Sequence, residues 1–151
     1  MTRPRARDDS GNAIVEFVFV AIIVMVPLVY LIAAVATVQR NTLAVTQAAR
    51  DAGRAFATSD SPSQARLRVA AAVRLALSDQ GLPNDVAVRF VAAGSSCDAR
   101  AITPQLTPGA AFTVCVSRRV QLPAVPSVLT GRGIRTTGMY QVHLDDFRSA
   151  P

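Results

Sequence analysis

Hydrophobic and polar positions change rhythm along the chain, and each change marks an element. From Ala13 to Val38 the sequence reads AIVEFVFVAIIVMVPLVYLIAAVATV, with Glu16 its only charged side chain. As a helix at about 1.5 Å per residue this run is roughly 39 Å long, against a bilayer core about 30 Å thick. It predicts a transmembrane helix over residues 12–38, tilted or continuing outward as a stalk. Pro27 lies inside the run and predicts a kink, which membrane helices tolerate better than soluble ones. Beyond the span, Leu31, Val38, Val45 and Ala52 lie seven apart, with Ala49 and Phe56 interleaved, so a helical stalk is expected over residues 39–58. Its stripe of Ala44, Ala48, Ala49, Ala52 and Gly53 is small enough for close approach, either by the chain's own domain or by another subunit's helix.

Turn residues from Thr58 to Ser63 end the stalk. Ser61 with Gln64 three positions later forms a capping-box pattern, and Pro62 suits a first helical position. A second helix follows, with Leu67, Ala70, Ala71, Val73 and Leu77 as its expected apolar face and Gly81 and Pro83 as its stop. From Asp85 the period becomes twofold. Val86, Val88 and Phe90 share one face of a first strand; Phe112, Val114 and Val116 begin a second that runs through Val120 and Leu122. Tyr140, Val142 and Leu144 line one face of a third, Thr136 to Leu144, with His143 on the other. Ala92 to Gly109 reads as a long loop. Pro123 and Pro126 end the second strand, Ser127 to Gly133 is a loop or one helical turn, and Asp145 to Pro151 reads as a frayed tail. The expected class is α+β: a long N-terminal transmembrane helix continuing as a stalk, a second helix, and a small antiparallel sheet of about three strands. Residues 59–151 form the small domain.

Charge adds orientation and removes one function class. All 16 basic residues are arginine, and the net charge is +6. The arginines are scattered, Arg118 and Arg119 being the only adjacent pair, and no aromatic row accompanies them, which argues against nucleic-acid binding and for a solvated face or one that meets anionic lipid. Arg3, Arg5 and Arg7 precede the span, so the N-terminus is expected in the cytoplasm and the domain outside. Cys97 and Cys115, an even pair in an oxidising compartment, are expected to form a disulfide worth about 3 kcal/mol on a chain-entropy argument.

A carboxylate at Glu16, so early in an apolar run, is costly in lipid unless it stays near the headgroups or finds a counter-charge. Gly11-Asn12-Ala13-Ile14-Val15-Glu16-Phe17, behind a basic leader, resembles the prepilin signature G-x-x-x-x-E-[FY]. The resemblance implies a leader over residues 1–11 cut after Gly11 by a prepilin peptidase, with Asn12 as the new N-terminus. A free α-amine is largely cationic at neutral pH and can pair with Glu16 of a neighbouring subunit. Gln47-Ala48-Ala49-Arg50-Asp51-Ala52-Gly53-Arg54-Ala55 further resembles the A-A-R-x-x-x-R region of TadE-like proteins of tight-adherence pilus systems. The motif-bearing likeness covers about the first third of the chain. It implies a minor pilin or pseudopilin in the bacterial inner membrane or an extracellular filament, with Glu16 and Phe17 in assembly and with other pilins, the assembly platform and membrane lipid as partners.

Catalysis finds no support. His143 is the only histidine and is expected on the surface; Asp145 and Asp146 follow it at a chain end, and no P-loop, nucleophile elbow or zinc spacing occurs. No cofactor or metal is expected. Two other readings stay open: a generic single-pass anchor carrying an extracytoplasmic interaction domain, and a secreted protein cut after Ala34-Val35-Ala36 by signal peptidase.

Overall fold

The computed structural model describes residues 10–122, 131 and 133–147, with side chains from residue 13 onward. Residues 1–9 of the expected leader, the prolines expected to end the second strand, most of the loop expected after them and the tail beyond Phe147 lie outside the described residues. Five elements follow in order: α1 (Ser10–Ala57), α2 (Pro62–Ser78), β1 (Val86–Ala92), β2 (Ala111–Val120) and β3 (Ile134–His143). The strands form one antiparallel sheet in the order β1-β2-β3. This is the expected α+β architecture.

α1 runs for 48 residues and continues through Pro27. Its threonines satisfy themselves against the preceding turn: the hydroxyls of Thr37, Thr42 and Thr46 donate to the carbonyls of Ala33, Val38 and Thr42 at 2.8, 2.9 and 2.8 Å. From Asn41 onward the helix enters the domain. Ala44, Val45, Ala48, Ala49, Ala52 and Phe56 are buried, while Leu43, Gln47, Arg50 and Arg54 face outward. α1 packs against α2 and against β2 and β3, so the upper part of the expected stalk is the core of the domain. Of the two uses open to the small-residue stripe, packing within the chain is the one observed. Its sevenfold spacing holds at Val45 and Ala52 but not at Leu31, which is exposed.

Close approach of α1 to β3 leaves almost no space at a glycine on each side. A Cβ on Gly53 would stand 2.5 Å from the Tyr140 ring and 2.8 Å from Val142, and one on Gly138 would collide with the Val45 carbonyl and the Thr46 nitrogen. No other side chain fits between that strand and that turn of helix without displacement.

α2 starts where the sequence places it. Ser61 caps it, its Oγ accepting from the Gln64 backbone nitrogen at 3.3 Å. Gln64 reaches back one residue further than a capping box does, accepting from the Asp60 nitrogen at 2.8 Å. Gly81, at φ 63°, lets the chain reverse so that the Leu82 nitrogen bonds the Leu77 carbonyl at 2.9 Å. The expected apolar face needs correction. Ala65, Val69, Val73, Ala76 and Leu77 are buried, whereas Leu67 is 74% exposed and Ala70 and Ala71 are also outside. Leu67 and Val73 are six residues apart, about 120° around a helix, and cannot share the narrow line that α2 presents to α1.

The sheet turns Val86, Val88 and Phe90, Phe112, Val114 and Val116, and Tyr140 and Val142 towards the helices. Phe56, Phe90 and Phe112 meet with ring centroids 4.9 to 5.8 Å apart. The opposite face holds a small second cluster of Val91, Cys97 and Cys115. β2 ends at Val120, short of Leu122, and β3 begins at Ile134, two residues before the expected start. The stretch after β1 is less free than a loop reading implies: the Ile102 nitrogen donates to the Phe90 carbonyl at 2.9 Å, Arg89 donates to the carbonyls of Cys97 and Ala99 at 3.2 and 3.0 Å, and Leu106 reaches the main core.

Candidate functional site

The residues expected to act in processing and assembly all fall on the first turns of α1. Gly11 and Asn12 lie where the structure describes the backbone alone; Glu16 and Phe17 follow, Phe17 being 74% exposed. Glu16 is exposed and forms no ion pair with a described residue. Every large apolar side chain from Ile14 to Ile32 is at least 43% exposed, and none of the most apolar 18-residue window is buried. A core helix of a soluble domain would be covered by its own chain; this one is not. The helix is long and apolar enough to cross a membrane, as an anchor or as a signal sequence.

Where the apolar run ends, a polar clamp ties α1 to the sheet. The Arg118 side chain is 10% exposed, with Nε 2.8 Å from an Asp85 carboxylate oxygen and Nη2 3.3 Å from the other. Its Nη1 donates to the Asn41 side-chain oxygen at 3.0 Å, and the Asn41 amide donates to the Thr37 carbonyl at 2.8 Å. Asn41 is 3% exposed, so its side-chain oxygen depends on Arg118 for a hydrogen bond. Sequence reasoning missed the clamp, since 77 residues separate its partners and no spacing rule spans such a distance.

Around the clamp the sheet's base carries further charge and apolar surface. Arg119 and Arg135 are directly opposed across β2 and β3, and Arg135 is paired at 2.9 Å with the exposed Asp98. A cavity of about 420 Å³ opens between α1 and the sheet, walled by Thr37, Arg40, Arg119 and Gln121 among others. Asp85, the only acid on its wall, is engaged by Arg118. An apolar groove of about 280 Å³ runs between Ala34, Val35 and Val38 of α1 and Leu122 and Ile134 at the base of β2 and β3. The base of the sheet is therefore level with the last turn of the apolar run.

The two cysteines are joined, Cys97 to Cys115, with Cα atoms 5.7 Å apart, and the bridge fastens the segment after β1 to the outer face of β2. His143 lies on the exposed face of β3 as expected, its Nε2 3.9 Å from Asp146, too long for a hydrogen bond. Among the described residues no group of three or more His, Cys, Asp or Glu side chains is placed to hold a metal. No family of proteins, no curated protein and no solved structure gave a match to this chain.

Proposed function

We propose that this chain is a TadE-like minor pilin or pseudopilin that works in the assembly of a tight-adherence type pilus. A prepilin peptidase removes the leader after Gly11, and the freed α1 docks among the helices of sibling subunits or the assembly platform. Glu16 receives the α-amine of a neighbour, which places two otherwise costly charges together in lipid. The domain stands outside the cytoplasmic membrane.

The observation that carries the reading is the division of one continuous helix. Its upper third buries one face against the domain, while its lower two-thirds presents apolar side chains on all sides with a single carboxylate near the start. Such a helix needs lipid or other helices around it, and a lone acid within it needs a cation supplied from outside the described chain. The Gly11–Asn12 bond lies in the first turn of α1, so that turn has to unwind for cleavage, which helix ends do readily.

N-terminal sequencing of the mature chain from cells with an active prepilin peptidase tests this. A start at Asn12 is expected. An intact leader would leave a plain membrane anchor, and a start at Thr37 would indicate an ordinary secreted protein; either result overturns the proposal.

A further inference from the structure

We propose that the free edge of β3 is a docking site for an extended segment of a different protein, which adds to the sheet as a fourth, antiparallel strand. This goes beyond the function proposed above. The choice of partner rests on the membrane-anchored part of that reading, not on leader cleavage or pilus assembly.

The backbone selects the chemistry. Hydrogen bonding alternates along an antiparallel pair, and the Leu144 nitrogen donates to the Ala110 carbonyl at 2.9 Å, one step beyond the Ala111–His143 pair. Counting back from there, Thr136, Gly138, Tyr140 and Val142 direct their N–H and C=O groups to β2. Arg135, Thr137, Met139, Gln141 and His143 direct theirs away from it, and none of these backbone groups is hydrogen-bonded to a described residue. Such a row of donors and acceptors at strand spacing is complementary to another strand. No proline or bulge blunts β3, and Met139 at its centre is 55% exposed. The opposite edge of the sheet is closed instead: beside β1, Val91 bridges Ala101, and the Phe90 carbonyl accepts from the Ile102 nitrogen.

Geometry removes the nearer occupants. Residues 123–130 join the base of β2 to the base of β3; fully extended that link spans about 30 Å, whereas a climb to Met139 and back takes roughly 40 Å. β3 itself rises away from the apolar run, since Ile134 shares a groove with Ala34, Val35 and Val38 while Val142 lies against Gly53. A second copy anchored in the same membrane raises its own β3 in the same direction and so cannot add antiparallel. A segment of another protein can run downward. Along it stand Thr137, Met139 and Gln141, and at the base Arg135, which gives only one nitrogen to the exposed Asp98. The fitting segment is therefore uncharged in its middle, with an acid towards its C-terminal end.

The test places p-benzoylphenylalanine at Gln141 and photolyses native membranes, with the same group at the exposed Arg66 of α2 as reference. One adduct with a second protein is expected at position 141 only, its cross-linked segment reading as a strand with an acid towards its C-terminal end. Adding Met139→Pro should cut the adduct about tenfold, the worth of one hydrogen bond to a fixed partner, whereas Met139→Ala should keep it. Proline there removes an outward N–H and costs the β2 ladder nothing. The Cys97–Cys115 bridge, read on non-reducing gels, reports that the domain has folded. Amide exchange decides if that variant misfolds: Thr137, Met139 and Gln141 should exchange about a hundredfold faster than Gly138 and Tyr140 in the purified chain, and become as slow as they are in native membranes. Exchange unchanged between the two preparations overturns the proposal. So does the absence of an adduct, an adduct with lipid, with a second copy or within the chain, or one that survives Met139→Pro. A chain released by carbonate overturns the anchor and the choice of partner together, whereas an integral chain without the adduct overturns this site alone.

Discussion

Gly138→Ala should destabilise the domain far more than Gly53→Ala, although both glycines lie at the same helix–strand contact. At Gly138 the new methyl group meets the Val45 carbonyl and the Thr46 nitrogen, backbone atoms of α1 that cannot swing aside. The helix has to lift by on the order of 1 Å, which forfeits a quarter to a half of the dispersion energy across the contact. Overpacking costs about 1–3 kcal/mol, and backbone partners that cannot move put this site at about 3; the gain from replacing a strand glycine returns only about 0.5–1. A net loss of about 2 kcal/mol follows. At Gly53 the methyl group meets the ring of half-buried Tyr140 and a methyl of Val142, side chains that can adjust for about 1 kcal/mol. Replacing a mid-helix glycine by alanine returns about 1 kcal/mol, so the net is near zero. Thermal unfolding of the full chain in mild detergent, followed by near-ultraviolet circular dichroism, should place Gly138→Ala about 8 °C below the parent and Gly53→Ala within about 3 °C of it. If Gly53→Ala melts lower than Gly138→Ala, the close packing of α1 on β3 described here is wrong.

Three further outcomes are expected. Reduction of the Cys97–Cys115 bridge, or Cys97→Ser/Cys115→Ser, should lower stability by about 3 kcal/mol, measured as a shift of the urea midpoint between oxidising and reducing conditions. Arg118→Met keeps the aliphatic stem but strands the buried Asn41 oxygen, for a loss of about 1–3 kcal/mol; adding Asn41→Leu should restore most of it, and a double-mutant cycle with no coupling would exclude the clamp. Glu16→Gln should still be cut after Gly11 but should give little assembled pilus, whereas Gly11→Val should block cutting; normal pilus yield from Glu16→Gln would remove the pairing role.

Elements whose limits depend on local chemistry were legible in the sequence. Ser61 and Pro62 announce α2 because a cap and a first-turn proline act within one turn, and the twofold patterns around Val88, Val114 and Val142 identify strands because the pleat alone sets that period. Cys97 and Cys115 could be paired because they are the only two cysteines. What escaped depends on how elements meet. The buried line of α2 is set by the width of α1's alanine-rich surface, so Leu67, a good core residue by composition, lies outside. Gly138 sits in a strand whose pattern gives no sign that a helix carbonyl will press on it, and Asn41 reads as one more polar residue after the span until Arg118 reaches it. The proposed assembly site rests on the sequence alone, because the signature around Gly11 and Glu16 is local while the partner it implies is another chain.

The continuity of α1 limits how the domain can move on its helix. A flexible link between span and domain would let the domain tumble without disturbing the helix below. Here the turn that follows the apolar run already carries Asn41, locked to Arg118, and the next turn carries Val45 under Gly138. Any rotation of the lower helix is passed to the sheet, since each residue of register corresponds to about 100° of azimuth and 1.5 Å of height. The azimuth of Glu16 is thereby fixed relative to the domain. On the proposed pilin reading, a neighbour that engages this carboxylate also determines which flank of the domain it meets, so docking at the start of α1 and contact between domains would be one event, selected by one orientation of a single helix.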